Sequence, residues 1–343
     1  MDRECRWDPC VAHRGEDVDG FLDHYFAQTD RNVLLVAGAG FDPRAGVVAT
    51  RLGNVIKTIR ALFIREIRPD PPQSQWDQAA ANTKALLAAL NGQQVELEVF
   101  GPDGAVVGGR NVINILRQQD FEGVTDIIVD ISALSAGTSF PAIRYFVERA
   151  RRNGRTTNLH VFVVHDPLLD TKICALSGDA PGYVHGFRGR STLSGTDDAA
   201  KLWLPQLTAG RRAVLGRLYD FVEPHETCPI LPFPALDPRL GDALAEEYLT
   251  EIEDTWSVDP RNIVYADEAD PLDLYRTILR LDDLRRRVFA ETGGSMLVLS
   301  PVGSKVMALG ALMAAVERDL PVAHVESIGL RGPRGRAGRS RTA

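Results

Sequence analysis

Residues 33–46 read VLLVAGAGFDPRAG: five apolar residues, two glycines one residue apart, then an Asp-Pro-Arg turn. An apolar run that feeds a tight glycine turn and a helix start is the junction from which open α/β sheets are built. The same rhythm returns along the chain. In the first half, strands are predicted at 32–38, 59–66, 94–100, 124–131 and 159–165, with helices at 76–91 and 139–153. Ala79, Leu86, Leu87 and Leu90 form the apolar stripe of the first of those helices. Near-continuous apolar strands alternating with helices predict a parallel sheet covered on both faces. In the second half, strands are predicted at 201–206, 228–233, 262–267, 295–300 and 321–326, with helices at 209–222, 239–253, 271–290 and 302–318.

The expected fold class is therefore α/β, with two Rossmann-like units and mainly parallel sheets, packed together or folded as a pseudo-repeat. The expected organisation is an N-terminal extension (1–30), a first unit (31–166), an irregular connector (167–199), a second unit (200–328) and a disordered basic tail (329–343). That tail ends RGPRGRAGRSRTA, which has no apolar pattern and reads as a solvated segment.

Composition narrows the function classes. A chain of 343 residues, 44% hydrophobic and 25% charged, has ordinary soluble-protein usage. A formal net charge of -7 argues against sequence-independent attraction to duplex nucleic acid. No run suits a membrane span and the N-terminus has no signal-peptide pattern, so a cytoplasmic protein with no membrane partner is expected. Cys5, Cys10, Cys174 and Cys228 are irregularly spaced, which predicts free thiols. Cys5, Cys10 and His13 make only three of four zinc ligands, so no metal is expected.

Three strand-end junctions are unusually rich in Gly, Ser, Thr and Asp, where α/β sheets hold ligands. At the first, Gly38 and Gly40 permit close backbone approach, while Asp42 and Arg44 suit a ribose hydroxyl and a phosphate. The third glycine of the dinucleotide fingerprint is missing from its place. Asp-Pro-Arg also recurs at 237–239 and 259–261, and Asp followed by Pro is ordinary helix-start chemistry, so a ligand loop and a plain turn both stay open. The second junction, VDISALSAGTSFPAIRYF (129–146), places Asp130, Ser132, Gly137, Thr138 and Ser139 around a helix start. One cap needs one such group, and the surplus predicts an anion site. The third, LVLSPVGSKVMALGALMAA (297–315), sets Ser300, Gly303, Ser304 and Lys305 beside the positive end of a helix dipole, without Walker spacing.

Asp130 to Ser139, together with Gly303-Ser304-Lys305 and the apolar helix after it, resembles the ligand-facing motifs of CRISPR-associated Rossmann-fold (CARF) domains and their fused relatives. The resemblance implies a sensor of a nucleotide second messenger in antiviral defence. Its ligand would be a nucleotide or short oligonucleotide, and a protein partner or a second copy of the chain would receive the signal. The GAGFD segment (38–42) is similar to the glycine loop of Sir2-like NAD-cleaving domains, which implies that Gly38 to Phe41 face the pyrophosphate of NAD. His165 is then the candidate base, although the Asn-Asp pair of those enzymes is absent.

His165-Asp166 and Glu223-Pro224-His225-Glu226 are the remaining acid/base clusters. Neighbours in an extended segment point to opposite sides, and 223–226 falls where a polar loop is expected. A nucleotide-binding regulatory module, with no cofactor beyond its nucleotide ligand, is the first reading. An NAD- or nucleotide-hydrolysing enzyme is the second, and an interaction scaffold with degenerate pockets the third. A sensor requires the second and third junctions to converge on one basic pocket. An enzyme requires the first junction to line a cleft containing His165. The stretch 167–198, with His185, Arg188 and Arg190, reads either as a lid or as a plain excursion.

Overall fold

The structure is a computed structural model that describes residues 6–7, 9–27, 31–69, 71–152, 154, 157–170, 174–189 and 199–331. Cys5, Arg190 and the tail from 332 onward lie outside the described residues.

The first half runs α1 (Glu16–Tyr25), β1 (Val33–Gly38), α2 (Val47–Gly53), β2 (Ile59–Ile67), α3 (Gln73–Ala89), β3 (Gly92–Glu98), α4 (Gly108–Arg117), β4 (Asp126–Asp130), α5 (Ala136–Arg152) and β5 (Asn158–Phe162). Its five strands form one parallel sheet in the order β3-β2-β1-β4-β5. The central strands β1 and β4 are buried at every residue, which explains the apolar run of β1 and the apolar centre of β4 between its two aspartates. Alternate residues of β1 serve opposite faces: Val33 and Leu35 pack with Leu52 and Leu86, while Leu34 and Val36 pack with Leu116 and Phe146.

The second half continues with α6 (Pro167–Asp170), β6 (Cys174–Tyr183), β7 (Ala200–Pro205), α7 (Arg212–Val222), β8 (Glu226–Thr227), β9 (Ile230–Pro232), α8 (Leu240–Glu247), β10 (Val264–Ala266), α9 (Pro271–Val288), β11 (Ser295–Ser300), α10 (Lys305–Arg318) and β12 (Ala323–Arg331). Strands β11, β7 and β8 pair in parallel, as do β9 and β10. Single bridges at Gln206–Ile230 and Leu299–Val322 join β9 to the end of β7 and the start of β12 to β11. The fold is thus α/β with mainly parallel sheets. Leu34 and Val129 of the first sheet share one hydrophobic cluster with Leu297 and Leu312 of the second half, so the two halves are packed together over a common core.

Several expectations are corrected. The stretch expected to be irregular contains β6, which pairs antiparallel with β12 from Ala323–Tyr183 to Arg331–Cys174. Residues 329–331, expected in the tail, complete that ribbon. The helix expected over 239–253 ends at Glu247, followed by a wide turn at Glu251–Thr255 that brings Trp256 edge-on to Trp203 at 5.3 Å. The expected loop 223–226 ends in β8.

The N-terminal segment is also docked. Trp7 Nε1 donates to Met313 O at 2.9 Å, and Arg6 pairs with Asp319 at 3.0 Å. Helix α1 and the residue after it bury Leu22 and Phe26. Among the described residues, no helix is long and apolar enough to cross a membrane. Cys228 is a buried thiol, and His13 stacks on Phe21 at 4.7 Å.

Candidate functional site

The carboxyl ends of β1, β2, β7 and β11, with the loops that follow them, surround a cavity of about 720 Å³ closed on one side by β12. All three sequence-identified junctions contribute. Gly40, Asp42 and Arg44 come from the first, Ser135 and Ala136 from the second, and Gly303, Ser304 and Lys305 from the third. Parallel strands place all their carboxyl ends on one side of a sheet, and the shared core turns the two such edges toward one space.

The first junction is locally self-satisfied. Asp42 accepts the Arg44 backbone N–H at 2.9 Å, and its carboxylate receives Arg44 Nε and Nη2 at 3.0 and 2.8 Å. Asp237 and Asp259 likewise accept the backbone N–H of Arg239 and Arg261 at 2.9 Å. The recurring triplet is therefore one structural device, an aspartate closing its own turn, with proline opening a short helix at 43 and 260 and preceding α8 at 238. Gly38 does not line the cavity: a Cβ there would lie 2.6 Å from the Ala133 carbonyl oxygen, so the close approach it permits is to the β4–α5 loop. Gly38→Ala is expected to cost about 1–3 kcal/mol through overpacking, read as a lower urea midpoint with an unchanged slope.

The second junction holds a carboxylate, and it is the protein's own. Ser135 donates from its backbone N–H at 3.0 Å and from its hydroxyl at 2.8 Å to Glu66 Oε1. Arg68 bridges Glu66 and Glu326 at 2.7 and 2.9 Å and donates from Nε to Ser327 O at 2.9 Å. Burial alone would raise Glu66, but Arg68, Thr138 and Ser135 hold it below the ordinary carboxylate range. Burial would likewise lower Arg68, and the two glutamates raise it instead. Gly137 leaves the room that Glu326 Oε2 occupies, since any side chain there would collide with that oxygen. Thr138 and Ser139 are buried in α5 away from the cavity.

Asp130 and Ser132 lie beneath this loop. Asp130 Oδ1 accepts from the backbone N–H and hydroxyl of Ser132, and burial pushes its carboxyl up to about 6 against the opposing pull of Ser132 and Lys305. Lys305 Nζ donates to Ile131 O at 3.1 Å and Leu134 O at 2.6 Å, which ties the third junction to the second. Ser300 is a core residue whose Oγ accepts from Trp203 Nε1 at 2.9 Å. His165 is exposed and does not line the cavity, while Asp166 accepts from Leu169 N at 2.9 Å at the start of α6.

Residues outside the junctions complete the site. Glu66 and Arg68 stand two apart at the end of β2 and share one face, while His324 and Glu326 of β12 approach to 4.0 Å at a register shift of the ribbon. Among the described residues the lining carries five cationic and five acidic side chains, so the cavity is charge-balanced, not the basic pocket that the sensor reading required. Its apolar wall includes Trp76, over which Arg65 stacks at 4.2 Å. Four lining residues keep a buried polar atom with no hydrogen-bond partner: Gln206 Oε1, Ser304 Oγ, His324 Nδ1 and Glu326 Oε2. Burial lowers the His324 pKa, with Glu326 opposing and Arg68 and Arg211 adding to the fall, so the ring is neutral at pH 7.

No family model and no curated protein matches the sequence. Among solved structures, the cytoplasmic domain of a prokaryotic cation chloride cotransporter aligns with 87% of this chain and 96% of its own at 9% identity and a TM-score of 0.24. A universal stress protein from Archaeoglobus fulgidus DSM 4304 aligns with 88% of this chain and 98% of its own at 11% identity and a TM-score of 0.25. Likenesses this loose assign no ligand or activity to the chain.

Proposed function

We propose that the protein is a nucleotide-binding regulatory module whose ligand occupies the cavity between the two halves. The observation that carries this reading is the set of orphaned polar atoms on Gln206, Ser304, His324 and Glu326, all on one cavity wall system. A buried polar atom left without a partner costs about 1–3 kcal/mol, and four such atoms in the walls of one cavity support a polar ligand that engages those side chains. Gln206 Oε1 and Glu326 Oε2 only accept, which calls for donors such as ribose hydroxyls or an exocyclic amine. Trp76 offers a face for a base, and Gly303-Ser304 at the start of α10, with Arg211 nearby on the lining, suits the phosphate end.

The convergence of the second and third junctions on one cavity supports a sensing role, although its lining is charge-balanced where a basic one was required; the ligand would be a nucleotide second messenger and the setting defence signalling. The hydrolase reading has the first junction on the cavity but lacks its base, because His165 stands outside. The test is a thermal-shift screen of the protein against NAD, ATP, cyclic dinucleotides and cyclic oligoadenylates, with mass spectrometry of each ligand afterwards. One nucleotide class is expected to stabilise the fold and be recovered intact, by a few kcal/mol at large excess. Ala209 is exposed at the cavity mouth, and Ala209→Trp is expected to abolish the shift without lowering the unliganded melting temperature. Cleaved ligand would replace the sensor with the hydrolase, and a shift that survives Ala209→Trp would place the ligand elsewhere.

A further inference from the structure

A second concavity of about 340 Å³ lies between α4 and α5 and shares no lining residue with the first. Among the described residues, Arg117, Arg144, Arg149 and Arg152 line it against one acidic residue, Glu148, with His185 at its edge. The spacing explains the concentration: Ile113 and Arg117 are four apart on α4, and Arg144, Glu148 and Arg152 step by four along α5, so the two rows face one groove. Local partners absorb part of the charge. Arg144 bonds Glu148 and Asp319, both at 2.9 Å, and Arg152 approaches Glu148 at 3.7 Å. Arg149 is held over the Phe121 ring at 4.0 Å, which fixes the guanidinium without neutralising it.

The helix dipoles absorb another part, because Arg117, Arg149 and Arg152 lie in the last turns of their helices. Each terminus offers roughly half a negative charge. Against Glu148, Asp319 and the two termini stand these four arginines together with Arg110 and with Arg6, which shares Asp319, an excess of about three positive charges among the described residues. His185 registers that field. Burial lowers its pKa, and Arg110, Arg188 and Arg117 lower it further. In a chain of net charge -7, so local an excess is a binding feature that packing does not require.

We propose that the α4–α5 groove is a second binding site, for a ligand carrying two or more linked phosphates. Guanidinium forks bind phosphate oxygens in pairs, and a volume at the low end for ligand pockets fits a polyphosphate group better than a whole dinucleotide. The site is distinct from the cavity: Ala136 at the head of α5 lines the cavity, and Arg144 to Arg152 lie about 12 to 24 Å farther along the same helix. Inorganic polyphosphate and the phosphate tail of a nucleoside triphosphate share this chemistry.

Isothermal titration of the full chain with inorganic tripolyphosphate at 50 and 200 mM salt tests the proposal, with ATP as the second arm. Saturable binding is expected, weakened at least tenfold by Arg117→Glu with Arg152→Glu and by the higher salt. It should be unchanged by Ala209→Trp and by the control pair Arg276→Glu with Arg280→Glu, which makes the same charge change on exposed positions of α9. Equal affinity for ATP assigns the groove to phosphate alone, and tighter binding of ATP assigns it to the nucleotide. Absence of saturable binding at 50 mM salt, or equal losses in the groove and control pairs, would overturn it. Loss with Ala209→Trp would return the anion to the first cavity. All four substituted arginines are exposed, and unchanged unfolding midpoints confirm that the variants fold.

Discussion

Arg68→Met is expected to lower the stability of the fold by about 3–5 kcal/mol, because it strands two buried carboxylates. Side-chain exposures of 12%, 9% and 3% for Arg68, Glu66 and Glu326 leave little water to screen them. The guanidinium is the shared counter-charge, and it also joins β2 to β12 by its bond to Ser327 O. Loss of the arginine alone leaves Glu66 with the Ser135 and Thr138 donors and Glu326 with none of comparable charge. Adding Glu66→Gln and Glu326→Gln should recover most of the loss, since removing all members of a buried ionic group is far less costly than removing one. Urea unfolding of the single and triple variants measures both effects. A single variant within 1 kcal/mol of the parent would show that water or a local rearrangement reaches the two glutamates. Because Glu66 occupies the donors at the head of α5, the triple variant should also bind the cavity ligand differently, which separates the stability role from the binding role.

The sheet and the junctions were legible because both follow from strong local rules. Apolar runs such as VLLVAG and the central IIV of DIIVD occur where strands are buried on two faces, and the carboxyl-end rule located the loops of one cavity without knowledge of how the halves pack. The ribbon β6–β12 was not legible. The β6 sequence CALSGDAPGY is poor in β-branched residues and carries Gly and Pro, and its strand state depends on antiparallel pairing with a partner about 150 residues away, near the chain end. Helix α4 begins with Gly108 and Gly109, which sequence propensity reads as a breaker. The structure needs small residues there, because a Cβ on Gly109 would lie 2.6 Å from that of His185.

Site chemistry was misassigned for a related reason. The hydroxyls of the second junction face Glu66, and Lys305 faces two carbonyls, so residues read as phosphate ligands mostly hold the protein's own loops. The missed residues had a signal: Glu66-x-Arg68 and His324-x-Glu326 place charged groups with period two at the ends of apolar strands, where one face must meet something polar.

The second large effect concerns Asp130, whose carboxyl is raised from 3.8 to about 6 by burial. A raised folded-state value means the native protein holds this proton more tightly than the unfolded chain does. The folded state is therefore favoured most below pH 4, and ionisation opposes folding progressively from pH 4 to 6, by about 3 kcal/mol once complete. Other groups act in the opposite sense. Glu66 is held below its ordinary value, so its contribution is lost as pH falls below the normal glutamate range, and the buried neutral His324 resists protonation below pH 6.5. The raw stability curve mixes these slopes, whereas the difference between parent and Asp130→Asn isolates one. The asparagine Oδ1 can keep both Ser132 bonds, and any cost of its amide at the unpartnered Oδ2 position does not vary with pH. The stability of Asp130→Asn relative to the parent is thus expected to rise by roughly 2–2.5 kcal/mol between pH 4 and pH 7, measured by urea unfolding at each pH. A flat difference would mean that Asp130 ionises in the folded protein as easily as in water. Lys305, whose charge draws Asp130 toward ionisation and whose Nζ clamps the second junction, would then be the group that compensates it.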